Sequence, residues 1–218
     1  QQIVSIKGRS TPERVFEATD EGTITDIPMV VLANENSASA SEIVTGALKD
    51  NGRAKFIGTR TFGKGSVQHI RMLDGGRGAI KLTHAHYYLP SGRNIHRQPD
   101  AEVWGVDPAN GFYVPMTTKE VRAMIKVRRD GDVLRRTNGD ADVQRITPEW
   151  IEQTLKDKQL SAGLEATLGY LDTQKWPEVG LSGVDELTKL QRREVLRAQR
   201  DLLQERLLEI EEELVSLN

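Results

Sequence analysis

The feature that most constrains this chain is the apolar run Ile27-Pro28-Met29-Val30-Val31-Leu32-Ala33, which gives way at once to small and polar residues, Asn34-Glu35-Asn36-Ser37-Ala38-Ser39-Ala40-Ser41-Glu42. A run of this length fits a buried strand and falls far short of the ~20 residues that span a bilayer. The polar cluster leads into a helix with an apolar face at Ile43, Ala47 and Leu48, a basic residue (Lys49) in its last turn, and a stop at Asn51-Gly52. Lys55-Phe56-Ile57-Gly58 is the next strand. Strand, loop, helix, strand is a βαβ unit, and it predicts a layered α/β fold.

The flanks extend this unit. Residues 3–6 read as a short strand and the stretch to Gly22 as polar connection. After Gly63-Lys64-Gly65, residues 66–73 and 79–89 read as strands of a hairpin turning at Asp74-Gly75-Gly76. Residues 100–115 are irregular, with short β pieces at Val103-Trp104 and Phe112-Tyr113-Val114. Thr117-Thr118-Lys119-Glu120 starts a short helix carrying Val121, Met124 and Ile125. Residues 128–145 are rich in Arg and Asp and read as an exposed hairpin or linker. Thr147-Pro148-Glu149 caps a helix running to about Lys158, and a shorter one covers 162–171.

The chain closes on a long amphipathic helix over 184–218. Leu196, Leu203, Ile210 and Leu217 recur every seven residues and Leu207 and Leu214 fill the offset positions, while Arg193 and Arg200 interrupt the seam upstream. Such a helix packs against a partner chain or along its own body. The expected division is 1–127, the C-terminal part of an α/β core; 128–146, a polar linker or hairpin; and 147–218, a helical extension with a candidate oligomerisation helix at 184–218.

Composition removes several function classes. A net charge of -2 offers no general pull toward nucleic acid. The absence of cysteine excludes a disulfide framework, thiolate metal sites and a cysteine nucleophile. His84 and His86 fall on one face of a strand, with His69 and His96 near in sequence, but no acidic residue stands at a zinc-site spacing, so they read as packing or surface residues. No cofactor is expected.

Ser39 follows a strand and sits where a helix begins, beside unpaired amides and a positive helix end. Taken alone, Ser37, Ser39 and Ser41 read as helix-cap and packing residues. Gly58-Thr59-Arg60-Thr61-Phe62-Gly63-Lys64-Gly65-Ser66 approaches a phosphate-binding loop, but Gly65 stands where a magnesium-binding hydroxyl belongs and a strand is expected where the helix should follow. Nucleotide binding is the remote alternative.

Several linked motifs resemble the carboxyl-terminal processing (tail-specific) protease family. They are the segment 34–42, then Gly46-Ala47-Leu48-Lys49-Asp50-Asn51-Gly52-Arg53-Ala54, then Thr61-Phe62-Gly63-Lys64-Gly65-Ser66-Val67-Gln68. Ile80-Lys81-Leu82-Thr83 and Tyr88-Leu89-Pro90-Ser91-Gly92-Arg93-Asn94-Ile95 continue the likeness. The resemblance implies a ClpP/crotonase-like protease core, here partial, with Ser39 as nucleophile, Lys64 as general base and Gln68 orienting the lysine. The amide of Ala40 would supply one oxyanion donor, and a glycine of an upstream Gly-Gly loop the other. It also implies a protein or peptide substrate with an accessible C-terminus and a cell-envelope, periplasmic or secreted, location.

The chemistry suits these residues. A serine hydroxyl needs a base, and a lysine serves only when neutral. At an unperturbed pKa of ~10.4 about one lysine in 2,500 is neutral at pH 7. Bringing the pKa to about 7 takes roughly 4–5 kcal/mol, within what burial supplies. Phe62 and the flanking glycines predict a tight, partly apolar turn around Lys64 with no acid nearby in sequence, and a neutral Gln68 orients the amine without holding it charged. Family members also carry a PDZ domain and the oxyanion Gly-Gly loop upstream of the motifs matched here, so the 218 residues by themselves are expected to be inactive or nearly so.

Overall fold

The computed structural model describes residues 1–99, 101–131 and 145–216, which form a mixed α/β structure. Two compact units make it up, residues 1–182 and residues 183–218.

The first unit is organised around the βαβ segment. β3 (Val30–Ala33) and β4 (Lys55–Gly58) pair in parallel, Val30 with Lys55 through Ala33 with Gly58, and α1 (Ala40–Asp50) connects them. Side chains alternate across these strands, so neighbouring residues enter different cores. Phe56 packs with Ala33, Leu89, Ile95 and Val106, beside Ile43 of α1. Ile57 packs with Phe112, Ala162 and Ala166, the last two from α4 (Lys158–Thr173). Burying a side chain of this size contributes roughly 1.5–3 kcal/mol. The expected strand over 27–33 is shortened, because Ile27 is exposed and lies outside β3.

A second sheet has the order β2-β1-β6-β5, all antiparallel: β1 (Gln2–Gly8), β2 (Thr11–Glu17), β5 (Ser66–Met72) and β6 (Ala79–Tyr88). The β5–β6 hairpin turns through Gly75 and Gly76 as expected, both at positive φ. β2 departs from the expected polar connection. Thr11-Pro12-Glu13-Arg14-Val15-Phe16-Glu17 lacks a buried face and contains a proline, both tolerable because it is an edge strand. Val103 is exposed and in no strand, whereas Tyr113 bridges Gly58 and Leu181.

The helices after the sheets run longer than expected. α2 (Thr118–Gly131) continues past 127, so the start of the anticipated linker is helical; residues 132–144 lie outside the described residues. α3 (Pro148–Trp150) is capped by Thr147, whose hydroxyl accepts from the Trp150 amide, and widens into a π-helical turn at Ile151–Leu155. It stops there because Lys156 adopts a left-handed conformation, and Asp157 then caps α4 through the Leu160 amide. Because α4 contributes to the core around Ile57, residues 147–182 pack within the first unit. The second unit holds α5 (Val184–Ser216). Among the described residues no helix is long and apolar enough to cross a membrane.

Candidate active site

The site forms where the parallel strands end. After Ala33 the chain turns through Asn34–Ser37, stapled by the Ser37 amide on the Asn34 carbonyl (2.8 Å) and by the Asn34 amide on the Ser37 hydroxyl (3.1 Å). Ser39 then sits at φ 59°, ψ -117°, a region that non-glycine residues seldom occupy. Holding a residue there costs of order 1–3 kcal/mol, and such strain clusters at functional sites. Ala40 opens α1; it is exposed, and its amide donates to nothing among the described residues.

The second loop leaves β4 at Gly58 and runs through Lys64 into β5. It lies directly against the first, with the Thr59 amide donating to the Ala33 carbonyl (3.2 Å) and the Phe62 amide to the Ser37 carbonyl (3.0 Å). Thr59 Oγ1 also donates to Glu35 (2.8 Å).

The strongest tie is one buried carboxylate. Glu42 is fully buried in the first turn of α1 and accepts four hydrogen bonds. Oε2 takes the Ser39 amide (2.9 Å) and the Lys64 amide (2.7 Å), while Oε1 takes the Thr61 hydroxyl (2.6 Å) and the Gly63 amide (2.6 Å). Ser39 N and Lys64 N therefore lie no farther apart than the sum of their two contacts with Oε2, 5.6 Å. Sequence reasoning missed this role, although the Ser39-x-x-Glu42 spacing is that of a capping box, in which the glutamate closes back on the cap amide. The prediction that no acid lies near Lys64 in sequence holds only along the chain; in space Glu42 touches its backbone.

The side chains fare differently. Ser39 is half-buried, whereas Lys64 and Gln68 are exposed and Phe62 is 52% exposed. The apolar wrapping expected around Lys64 is thus not formed by Phe62. Among the described residues the Lys64 ammonium makes no ion pair and the Gln68 side chain no hydrogen bond. Lys64 is followed by Gly65 and then β5, so the helix that follows a phosphate-binding loop is replaced by a strand.

A cationic wall backs this loop. Arg60 is buried, forks onto Asp107 and donates to the Glu102 carbonyl (2.9 Å); Arg93 also reaches Asp107 (2.7 Å). The guanidinium groups of Arg60 and Arg97 each lie 4.6 Å from the Trp104 ring. Lys49, half-buried on α1, is held below the ordinary lysine range by burial, with Arg93 adding to the effect and Asp50 and Asp107 opposing it. The His86 and His96 rings lie tilted by 41° with centroids 4.8 Å apart, and burial, then the neighbouring His96, keeps His86 below the usual histidine range. Gly63 is needed in this packing: at φ 93° a Cβ would meet Trp104 Cδ1 at 2.6 Å. No group of three or more His, Asp or Glu side chains fit to hold a metal occurs among the described residues.

A strained serine at a helix entrance, joined through a buried carboxylate to a lysine loop at the ends of parallel strands, defines the site of a mixed α/β domain. The sequence model of peptidase family S41 matches residues 1–108. The chain is 44% identical over 137 residues to a carboxy-terminal-processing protease of Bartonella bacilliformis, covering 60% of this chain and 31% of that protein. It is 45% identical over 95 residues to a carboxyl-terminal-processing protease of Synechocystis, covering 44% and 22%. Among solved structures, a photosystem II D1 C-terminal processing protease is similar at 34% identity and a TM-score of 0.46, over 52% of this chain and 27% of that one. Residues 1–108 thus carry the sequence of peptidase family S41, and the relatives they resemble are carboxyl-terminal processing proteases. The chain spans less than a third of the length of these relatives.

Proposed function

We propose that these residues are the chemical part of a serine endopeptidase that cleaves proteins near or from their C-terminal ends through an acyl-enzyme, built on a ClpP/crotonase-like core. Ser39 attacks the scissile carbonyl, Lys64 takes its proton, Gln68 orients the amine, and the Ala40 amide stabilises the oxyanion. The observation that carries this reading is the shared Glu42 carboxylate, which keeps the Ser39 and Lys64 backbones within 5.6 Å in a chain whose residues 1–108 match this family. An exposed lysine is a poor base, so substrate or another part of the whole protease must cover Lys64 when it works.

The test is to change Ser39→Ala, Lys64→Ala and Gln68→Ala in the whole protease. The first two should each remove at least ~10³-fold of kcat/KM and the third less. Wild-type turnover by Lys64→Ala would sink the dyad. On the same reading the polypeptide of these 218 residues turns over substrate weakly or not at all, because family members take a second oxyanion donor and a substrate-gripping domain from regions other than the one matched here; losing one such donor costs ~10²–10³. Robust turnover by it would overturn that part. The envelope location follows the family resemblance.

A second reading concerns α5, which joins copies of the protein. The exposure of Leu196, Leu203, Leu207 and Leu214, between 47% and 70%, favours it. A monomer in sedimentation at tens of micromolar would remove it.

A further inference from the structure

We infer that α5 pairs with α5 of a second copy in antiparallel orientation, the basic half of each helix lying along the acidic half of the other. The inference rests on the reading of α5 as an assembly helix and goes beyond it in fixing orientation and register.

α5 has 33 residues, about 50 Å of helix. Its leucine seam follows the spacing of a coiled coil: Leu196, Leu203 and Ile210 at one core position, Arg193, Arg200, Leu207 and Leu214 at the other. Leu203 is 70% exposed and Leu207 56%, so the seam stands open at these positions. A single amphipathic helix with an open seam gains stability mainly by burying it.

Charge then decides direction. Residues 184–200 carry five basic and three acidic side chains, and residues 201–216 carry one basic and six acidic. In a parallel pair each core position faces its own copy, so Arg193 would meet Arg193 and Arg200 would meet Arg200, two like-charge layers in the seam. The net-negative halves would also lie side by side. In an antiparallel pair the two kinds of core position face each other. The register closest to full overlap sets Arg193 against Ile210, Leu196 against Leu207 and Arg200 against Leu203 of the second copy. Each arginine can then lay its apolar stem over an aliphatic partner. From Arg193 the guanidinium reaches toward Glu209 and Glu213, the neighbours of the opposing Ile210. The basic interruptions that weaken the seam within one chain thus become the elements that specify its direction, a use of charge known from coiled-coil pairing.

The chain has no cysteine, so introduced thiols report without background. Arg193→Cys and Ile210→Cys variants of the 218-residue chain would be mixed, exchanged and oxidised. A disulfide dimer formed by the mixture and not by either variant alone is the expected result. Self-crosslinking of each variant alone signals a parallel pair and overturns the inference while leaving the assembly reading intact. An unmodified chain that sediments as a monomer overturns both. As a check that needs no thiol at the seam, the double variant Arg193→Glu, Arg200→Glu should weaken self-association at least tenfold, because it sets acid against the acidic half. Undiminished association, the outcome expected if these positions meet only their own copies, overturns the orientation.

Discussion

Two carboxylates hold the loops of this site, Glu42 fully buried and Asp107 14% exposed, and they are satisfied in opposite ways. Asp107 is met by cations, the guanidinium groups of Arg60 and Arg93. Glu42 is met only by neutral donors, three amides and a hydroxyl. The Asp107 cluster fastens Arg93 to Arg60 at the exit of β4, and its two guanidinium groups outnumber its one carboxylate. Glu42 fastens the Ser39 turn to the Lys64 loop. A cation in its place of contact would crowd the lysine, and a missing donor would let the two loops part. The first carboxylate therefore serves the fold, and the second sets the distance between the two residues proposed to react.

The largest effect should come from breaking the cationic cluster. Asp107→Asn takes a counter-charge away from Arg60, which is only 5% exposed, a loss of about 3–5 kcal/mol. Chemical denaturation measures it, and an unchanged midpoint would remove Asp107 from the fold's supports. Glu42→Gln should cost less, roughly 2–3 kcal/mol, because the glutamine amide turns an NH2 toward two of the four donors. Its signature is different. Reaction of Ser39 with a fluorophosphonate probe in the whole protease should fall by more than the stability loss explains, whereas Asp107→Asn variants that remain folded should retain it. Equal losses in both variants would erase the distinction between the two carboxylates.

Thr61 links the two centres. Its hydroxyl donates to Glu42 and accepts from the Val106 amide (2.8 Å), next to Asp107. Thr61→Val keeps the volume but leaves that amide and one Glu42 lone pair without a partner, which should cost about 1–2 kcal/mol. A double-mutant cycle with Glu42→Gln should show coupling; strict additivity would mean that the two carboxylates act independently.

How far this could be read in advance follows from the range of the interactions. The βαβ unit, the β5–β6 hairpin and α5 announce themselves because periodicity and turn residues are local signals. Ser39 and Lys64 stood out through motifs in register, although neither residue does so alone. β2 was missed because an edge strand needs no apolar face, and α4 was cut short because Lys158-Gln159-Leu160-Ser161 carries little apolar signal, its first turn being set by the Asp157 cap. Glu42 was visible as a letter in a motif but not as the tie between loops, since its partners Thr61, Gly63 and Lys64 lie about 20 positions away. The exposure of Lys64 was unreadable for the same reason: burial belongs to what packs around a side chain, and nothing in Phe62-Gly63-Lys64-Gly65 fixes which way Phe62 turns.

The smallest effect lies far from both carboxylates and shows what an exposed ion pair contributes by comparison. Lys158 at the start of α4 pairs with Glu120 of α2, and the Thr117 amide adds a hydrogen bond (2.7 Å) to the same carboxyl group. Lys158 and then the Thr117 amide pull the Glu120 carboxyl down to about 2. A depressed carboxyl contributes stability that is present above its unfolded pKa, about 4.5, and lost as pH falls through the folded value. The α2–α4 contact should therefore loosen between about pH 4.5 and 2. Both partners are about a third exposed or more, so solvent screening keeps the contribution below about 1 kcal/mol. Glu120→Gln should remove this acid-side slope and leave stability at pH 7 within that amount of wild type, as followed by amide exchange in α2. A loss as large as that of Asp107→Asn would mean that this pair belongs with the buried centres and that exposure is the wrong variable on which to separate them.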